Sequence, residues 1–543
     1  MKRPTVRSIA ALLSLLAMFA ACGDGATGPA VGGSPAPWPE PAETDRHYII
    51  GWEDEIHLDA NAALHEITDG RHHHLHELAV SRVRVPGENH EEWLRSVRGV
   101  VDRFAGELHP DVSLLVESRV AQEGAVEQSA EPPGPEPALP FPLPNDPFTN
   151  LAEELRERWK TYTFQEALGP FEHPTWGINA FEAWSQQTDC QGVRIMTIDS
   201  GVDLEHPDLE QNLWVNVAER DGEPGVDDDG NGFPDDVYGW NVESNDNDVQ
   251  DTNGHGTQTS GVIGARGGNA IGGSGVCQRA SLLTTKWRNN RTGSRSHTLG
   301  GFLQALEYAL ANDVDIINQS QSWYCSTRPD QEGCWFNNRR DPNNQATDIR
   351  PQMALVEEAV KLVTDAGILF FTSYGNNSDD MDSDEVRGYP QDFDGVYGVI
   401  GTQGNMMFPR SNYGRGADFA APASREIPFV QVTPFLYGSR SDGRPCASSP
   451  RALVVNHYQA KVEPIDSDPA VGCYADYWAT SAASPLVAGV AALVWSANPE
   501  LSASEVIEIL RTTGRFVPAL EGRTRDGKIV DAAGAVREAI SRR

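Results

Sequence analysis

Positive charge is scarce in this chain of 543 residues. It carries 43 Lys and Arg against 78 Asp and Glu, which gives a formal net charge of −35. Such an excess of negative charge argues against nucleic acid and against anionic membrane surfaces as partners. We interpret most of the acidic side chains as a solvated surface.

Long hydrophobic runs are also scarce. Lys2, Arg3 and Arg7 precede an apolar stretch at 9–21, which is too short to span a bilayer as a mature helix. This pattern predicts a signal peptide over residues 1–22. Its end, Phe19-Ala-Ala-Cys22, resembles a bacterial lipobox, which would be cut before Cys22 and acylated on that thiol. We therefore expect an exported protein, either an envelope lipoprotein held to the membrane by lipid alone or a freely secreted one.

Cysteine is sparse, and no Cys-x-x-Cys or His-Cys cluster indicates zinc. Six cysteines remain when Cys22 is set aside, and six can pair in many ways. In an oxidising compartment we expect disulfides rather than free thiols. We favour two local pairs, with the third formed by the cysteines that remain: Cys325–Cys334, Cys446–Cys473 and Cys190–Cys277.

Composition shifts divide the chain into five segments. Residues 1–22 are the signal peptide, and the stretch 23–45, rich in Gly, Pro and Ala, predicts a flexible tether. Residues 46–120 alternate strand and helix patterns and form a small α+β unit. Residues 121–150 are a Pro-rich linker, and 151–543 form the main domain.

The small unit is predicted element by element from its periodicity. The expected order is strand, helix, strand, helix, strand, at 47–52, 61–78, 80–85, 91–108 and 112–117.

The main domain alternates apolar runs with helical stretches, which predicts an α/β fold with a parallel sheet covered by helices on both faces. Candidate strands are 193–198, 280–284, 314–318, 367–372 and 399–401, and candidate helices are 299–312 and 352–366. Ligands in such sheets bind at the carboxyl ends of the strands, where Asp199 and Asn376 fall.

Three short stretches carry candidate catalytic residues. Asp199 ends an apolar strand, His255 stands between two glycines, and Ser481 opens an apolar helix rich in Ala and Val. Each alone is more often structural, and Ser481 alone would be read as an N-cap. The chain order Asp, His, Ser is that of the subtilisin triad.

These stretches resemble the motifs of the subtilisin-like serine proteases, the subtilases, over roughly residues 175–540. Ile198-Asp-Ser-Gly201, His255-Gly-Thr and Thr480-Ser481 resemble the three triad motifs, and Gly375-Asn376 resembles the oxyanion-hole segment. The chain departs from the family at Ala479, Ala482 and Gln258, where Gly, Met and His or Tyr are usual. None of these changes removes a catalytic group.

The resemblance implies a serine endopeptidase of the subtilisin-like fold that hydrolyses polypeptide substrates through an acyl-enzyme. Ser481 would be the nucleophile, His255 the general base, Asp199 its orienting partner, and Asn376 an oxyanion donor. Ser320-Gln-Ser322 resembles the family's Ser-Leu-Gly strand, so we expect substrate contacts from Ser320, Gln321, Ser322, Ser373, Tyr374 and Gly375. The alternative is a catalytically impaired, surface-anchored binding protein that keeps the fold. We expect a monomer.

The place and pattern of residues 46–120 resemble a subtilase prodomain, which would act as folding chaperone and intramolecular inhibitor of a zymogen. Nine of the 14 histidines precede residue 110, which raises the hypothesis that this unit loosens on acidification; a solvated polar face and a loose metal-binding tract are alternatives. They are His47, His57, His65, His72, His73, His74, His76, His90 and His109.

An acidic loop at 225–236 predicts a structural Ca²⁺ site. Carboxylates alternate along it, glycines allow tight folding, and Ca²⁺ prefers six to eight hard oxygen ligands. The loop resembles the start of an EF-hand, but Tyr238 stands where the bidentate Glu would be. The alternative is an acidic turn without metal. The candidate ligands are Asp227, Asp229, Asn231, the Phe233 carbonyl, Asp235 and Asp236.

Overall fold

The structure is a computed structural model. It describes residues 46–52, 57–68, 72–75, 78–86, 90–104, 106–110, 177–251, 253–269, 274–287, 298–329, 332–336, 345–346, 348–423 and 479–543. The predicted signal peptide, tether and linker, the strand expected at 112–117, and Cys22, Cys446 and Cys473 lie outside these residues.

The N-terminal unit is an antiparallel sheet with two helices. Strands β1 and β3 pair along their full length, β2 and β4 flank them, and the sheet order is β2-β3-β1-β4. Leu64, Val83 and Val97 share one small core between sheet and helices. The elements are β1 (Arg46–Gly51), α1 (His57–Thr68), β2 (His72–Leu75), β3 (Val80–Val85), α2 (His90–Arg103) and β4 (Glu107–Pro110).

Both predicted helices of this unit are too long. The pattern at 61–78 covers the end of α1 and all of β2, because helix-compatible spacing continues past Gly70, a helix-stop residue that the prediction ignored. The pattern at 91–108 likewise runs past Gly106 into β4. A Cβ at Gly106 would lie 2.6 Å from the Trp52 ring, so this glycine marks the place where the chain turns against β1.

The main sheet confirms the predicted α/β architecture. Its strand order is β17-β18-β16-β14-β12-β8-β5-β7-β6, with β15 paired to β14. Neighbours from β18 to β6 pair in parallel, and the pairs β17/β18 and β14/β15 are antiparallel. The strands are β5 (Asp189–Asp199), β6 (Gly239–Asn241), β7 (Arg279–Lys286), β8 (Ile316–Gln319), β12 (Leu369–Ser373), β14 (Val396–Gln403), β15 (Met406–Met407), β16 (Phe419–Pro422), β17 (Arg515–Phe516) and β18 (Lys528–Ile529).

Helices cover both faces of this sheet, and alternate side chains of β5 serve the two cores. Ile195 packs with the helices of one face, whereas Met196 and Ile198 pack with those of the other. The first face holds α3 (Ala180–Trp184), α5 (His255–Gly264), α8 (Thr480–Ala497), α9 (Ala503–Thr513) and α10 (Ala532–Ser541). The second holds α6 (Leu299–Ala311) and α7 (Met353–Asp365), and the short helix α4 (Val217–Asp221) precedes the acidic loop.

Helix α8 is the central element of the first core. It is apolar and long enough to cross a membrane by composition, but 94% of its 18-residue window is buried inside the protein. Small residues permit this close packing, since a Cβ at Gly489 would lie 2.6 Å from Val276. The helix is therefore a core helix.

A second small sheet lies beside the main one. It has the order β11-β10-β9-β13 and is antiparallel, with β9 beginning three residues after Ser320. Its strands are β9 (Trp323–Ser326), β10 (Gly333–Phe336), β11 (Gln345–Ala346) and β13 (Val386–Tyr389).

The N-terminal sheet packs against the second face of the main domain. Ile49, Leu75 and Val80 belong to the same apolar cluster as Phe302 of α6. Arg82, 2% exposed, donates to the Val242 carbonyl at 2.8 Å and to Gln304 Oε1 at 2.6 Å. An apolar contact with a buried cation at its centre thus joins the two units.

Candidate active site

Asp199 and His255 meet at the carboxyl end of the main sheet. Asp199 is the last residue of β5 and His255 the first of α5. His255 Nδ1 lies 2.8 Å from each Asp199 carboxylate oxygen, so the carboxylate fixes the imidazole orientation. Asp199 is fully buried, whereas the His255 side chain is 22% exposed. One face of the base therefore remains open to a reactant.

Glycines make this approach possible. Gly254 has φ 94°, a conformation that favours glycine, and it turns the chain into α5 directly before His255. A Cβ at Gly256 would lie 2.2 Å from the Gly201 carbonyl, so the loop after Asp199 can touch α5 only at a glycine. The two glycines that flank His255 are therefore required by the backbone turn before it and by the close approach of the loop after Asp199.

Further donors hold the Asp199 carboxylate. Oδ1 accepts from the Ser200 amide at 2.7 Å and from Gln321 Nε2 at 3.3 Å. Oδ2 accepts from Thr259 Oγ1 at 3.3 Å. Hydrogen bonds of this kind favour the ionised carboxylate in a buried place.

Ser481 lies in the first turn of α8 and is 9% exposed. Its Oγ donates to the Ser320 carbonyl at 3.1 Å, and Ser320 Oγ donates back to the Ser481 carbonyl at 3.0 Å. The next residue, Gln321, reaches Asp199. The segment 320–321 therefore contacts both Ser481 and the carboxylate that holds His255.

Ala479 forms the turn that leads into α8. It has φ 74° and ψ −178°, a conformation that side chains rarely adopt. The chain makes the turn although the glycine usual in the family is absent, so this substitution adds strain rather than changing the path.

Asn376 lies beside the start of α8. Its Oδ1 accepts from the Thr480 amide at 3.1 Å and from Thr480 Oγ1 at 3.0 Å. Because the amide oxygen is engaged, the NH2 group is the part of this side chain that can donate to a reactant. The predicted oxyanion donor is thus anchored next to the serine.

The expected substrate-binding residues lie on adjacent segments. Ser322 Oγ donates to the Ser373 carbonyl at 2.7 Å, and Tyr324 Oη donates to the Tyr374 carbonyl at 3.1 Å. Gly375 has φ 101°, and a Cβ there would lie 1.8 Å from Tyr324 Oη. The side chain of Gln321 turns toward Asp199 and is 1% exposed, which sequence reasoning did not foresee.

Comparison with protein families agrees with this geometry. A profile of the subtilase family matches residues 190–533, more than half of the chain. The chain belongs to the subtilase family. Its mostly parallel sheet with helices on both faces is therefore the subtilisin-like fold.

Curated relatives of this subtilase are named as proteases. It is 27% identical over 404 residues to subtilisin-like protease 1 of Plasmodium berghei (strain Anka), covering 73% of this chain and 59% of the relative. It is 32% identical over 356 residues to subtilisin-like protease 1 of Plasmodium vivax, covering 64% and 47%. The chain thus spans about half the length of these relatives.

A solved structure agrees in fold. The epidermin leader peptide processing serine protease of Staphylococcus aureus aligns with a TM-score of 0.55 at 16% identity, covering 91% of this chain and 98% of that one. At this identity the likeness shows the fold alone.

The acidic loop of this subtilase folds around its own carboxylates. Asp227 accepts from the amides of Gly230 and Gly232, at 2.8 and 2.9 Å. Asn216 Nδ2 donates to Asp229 at 3.0 Å and to Asp236 at 2.7 Å. Asn231 Nδ2 lies 3.1 Å from Asp236 Oδ2. Loop backbone and side chains thus converge on a cluster of oxygen atoms.

Glu219 is the acidic residue that sequence reasoning missed. It projects from α4, is 4% exposed, and accepts from the amides of Asp228 and Asp235, each at 2.7 Å. Oxygen atoms of Glu219, Asp227 and Asp229 lie within 4.8 Å of one another. The signal in the sequence was an acidic residue in the short helical stretch just before the loop.

Phe233, whose carbonyl is a predicted ligand, and Asp235 also belong to this loop. The Phe233 side chain is buried, with its ring 4.9 Å from that of Tyr308. Asp235 adopts φ 57°, and its Oδ2 accepts from the Gly225 amide at 2.7 Å. The Asp235 carboxylate thus braces the loop, whereas Glu219 joins the cluster.

Burial of this cluster has an electrostatic cost. Desolvation raises the pKa of Asp236 to about 7, and it also raises the pKa of Glu219. Asp229 adds like-charge repulsion to both. Several acidic groups in one place therefore favour either protons or a bound cation.

Two predicted disulfides are present. Cys190–Cys277 joins the start of β5 to the segment before β7 over a sequence separation of 87 residues. Cys325–Cys334 joins β9 to β10. Such bonds are typical of proteins that fold in oxidising compartments.

Proposed function

We propose that this subtilase is an exported serine endopeptidase that cleaves polypeptides through an acyl-enzyme. The observation that carries the proposal is the placement of His255 Nδ1 2.8 Å from both oxygens of a buried carboxylate, with the Ser481 segment tied to the same carboxylate through Gln321.

In the proposed mechanism, Ser481 Oγ attacks the peptide carbonyl as His255 removes its proton. The C–N bond then breaks and His255 donates that proton to the leaving amine, which leaves an ester on Ser481. Water, deprotonated by His255, hydrolyses the ester and returns the serine. Asp199 keeps the imidazole in one tautomer and stabilises its cation in both steps.

The negative charge on the tetrahedral oxygen needs donors. We expect the Asn376 NH2 group and the Ser481 amide at the start of α8 to supply them, and the anchoring of Asn376 Oδ1 by the Thr480 amide supports this role. Loss of one such side-chain donor lowers kcat by about 10²–10³, a magnitude measured on a subtilisin.

Active-site labelling tests this function. The full chain is incubated with a fluorophosphonate probe and with casein, and Ser481→Ala serves as the control. We expect labelling and casein hydrolysis that both disappear in Ser481→Ala. Unlabelled, correctly folded wild type would instead support the alternative of a binding protein that kept only the fold.

We also propose that residues 46–120 are an inhibitory prodomain. The buried contact of Arg82 with Val242 and Gln304, and the shared apolar cluster, support a tightly held unit. A zymogen of this kind cuts itself. Wild type should therefore yield a shorter mature chain, and Ser481→Ala should stay full-length.

Export with lipidation of Cys22 is the proposed localisation, supported by the two disulfides. Metabolic labelling with a radioactive fatty acid should mark the wild type and not Cys22→Ser. Secretion without label would favour the freely secreted form.

The acidic loop is the proposed Ca²⁺ site. Carboxylate oxygens of Glu219, Asp227 and Asp229 suit a hard cation, with Asp236 and Asn231 beside them. When bound, Ca²⁺ would neutralise the repelling carboxylates and so hold the loop in one conformation. The loop lies outside the catalytic steps.

A further inference from the structure

We propose that Gln321 is a positioning residue of the catalytic centre, which holds the Asp199 carboxylate and thereby sets the basicity of the His–Asp pair. The inference rests on the proposed protease function and adds a group that the triad and oxyanion hole do not include.

The first support is the contact itself. Gln321 Nε2 lies 3.3 Å from Asp199 Oδ1, the oxygen that also accepts from His255 Nδ1 and the Ser200 amide. Only the NH2 end of a glutamine can pair with an ionised carboxylate, so chemistry sets the orientation of this amide. Gln321 therefore shares an acceptor with the catalytic base.

The second support is that burial of the Gln321 side chain costs folding free energy. Gln321 is 1% exposed, and its Oε1 is buried without a hydrogen-bond partner among the described residues. A buried amide that leaves its oxygen unpaired destabilises the fold. The family's usual Leu would avoid that cost, so the NH2 contact with Asp199 is what the glutamine contributes.

The third support is the place of Gln321 in the chain. The preceding residue, Ser320, exchanges hydrogen bonds with Ser481, and the following one, Ser322, donates to Ser373. The segment is thus fixed on both sides of Gln321. The Gln321 side chain connects this segment directly to Asp199.

The expected effect on His255 follows because His255 and Gln321 donate to the same oxygen, Asp199 Oδ1. A donor to Asp199 Oδ1 withdraws negative charge from the carboxylate, which then stabilises the imidazolium less. With Gln321 in place, kcat/KM therefore begins to fall at a lower pH on the acid side of its profile. Asp199 and His255 without this donor would give an acid limb at higher pH. Gln321 also restricts rotation of the carboxylate.

The test uses two variants that lose the donor but keep the volume, Gln321→Leu and Gln321→Met. Both should move the acid limb of kcat/KM upward by about 0.5 pH unit and lower the plateau kcat about threefold, with KM unchanged. Leu is the usual residue of the family at this place, and Met adapts to irregular cores, so at least one variant should fold.

The matched control is Gln319→Met. Gln319 lies on the same segment, is fully buried, and neither its Nε2 nor its Oε1 has a hydrogen-bond partner among the described residues. It carries the same chemical group without the contact to Asp199. Its replacement should leave the pH profile at the wild-type position.

A second measurement does not depend on turnover. The proton shared by His255 Nδ1 and Asp199 gives a far-downfield NMR signal, and its titration midpoint should rise in Gln321→Leu. A midpoint and acid limb equal to wild type would overturn the inference, as would a change in KM alone, which indicates a substrate contact. Wild type that titrates in this way but hydrolyses nothing would overturn the protease function and leave the role of Gln321 standing.

Discussion

The catalytic centre and the acidic loop both bury carboxylates, but they compensate the charge differently. At the catalytic centre a single carboxylate, Asp199, meets an imidazole, a backbone amide and two side-chain donors. In the loop, several carboxylates share backbone amides and asparagine NH2 groups.

The difference lies in the groups that surround each buried acid. Asp199 keeps donors and a titratable partner inside the chain. In the loop, burial and the neighbouring Asp229 raise the pKa of Asp236 to about 7. In the loop, a proton or a bound cation would relieve the repulsion between the carboxylates.

The largest expected effect comes from Asp199→Asn. The amide keeps the shape but holds the imidazole in the wrong tautomer, so kcat should fall about 10⁴-fold. The measurement is kcat on a peptide substrate, with a melting curve to establish folding. The exposed Asp365→Asn serves as control and should retain full activity. A loss below tenfold would show that Asp199 does not orient the base.

Removal of calcium should have a smaller effect, of a few kcal/mol. A site that binds only the folded state at a hundredfold excess over Kd stabilises it by about 2.7 kcal/mol, so EGTA should lower the Tm by several degrees. In Asp227→Ala with Asp229→Ala, the Tm should be the same with EGTA and with calcium.

The matched control for the loop is Asp221→Asn. Asp221 is exposed and paired with Arg220 outside the cluster, so this variant should keep the calcium dependence of wild type. Equal melting curves of wild type in calcium and in EGTA, with no calcium found by elemental analysis, would leave the loop an acidic turn.

His72 in the N-terminal unit is a basic group, and burial has the opposite effect on it: it lowers the pKa instead of raising it. Burial, together with the nearby His65, lowers the pKa of His72 to about 4. An unfolded histidine titrates near 6.5, so folding excludes a proton between these values. Stability present above pH 6.5 should be lost as the pH falls to about 4, by about 3 kcal/mol.

Hydrogen exchange of the N-terminal unit in full-length Ser481→Ala measures this loss between pH 7 and pH 4. His72→Gln should flatten the pH dependence. The exposed His65→Gln should retain most of it. If hydrogen exchange of the N-terminal unit depended on pH equally in wild type and in His72→Gln, His72 would not be the group that responds to acid.

The smallest effect is expected at Ala479. Its conformation, φ 74° and ψ −178°, is one that glycine adopts without strain. Ala479→Gly should stabilise the protein by about 1 kcal/mol, after the greater chain entropy of glycine is subtracted. The Tm should rise slightly and kcat should be at least that of wild type. A lower Tm would mean that the turn carries no strain.

The sequence predicted the motif-bearing elements well. Asp199, His255 and Ser481 each stand beside glycine or small residues in short, specific patterns, and parallel strands such as Ile195 to Ile198 read as continuous apolar runs. Local order along the chain therefore sufficed for the sheet and for the Asp–His pair.

Other features depend on contacts that local patterns do not encode. The histidine tract at His72 has helix-compatible spacing, yet it pairs with β3 as a strand. Glu219 lies outside the loop that it closes, and Gln321 replaces an apolar residue but turns inward to Asp199. Each was missed because its partner is distant in sequence or was expected to face another way.

The disulfide Cys190–Cys277 ties together only part of the candidate site. Its closed loop contains Asp199 and His255 but not Ser481, which lies on α8. The acid and base are therefore held within one covalent loop, whereas Ser481 is held beside Ser320 by the packing of α8 and by hydrogen bonds alone. Loosening of α8 would move the serine away from its partners while the disulfide loop stays closed.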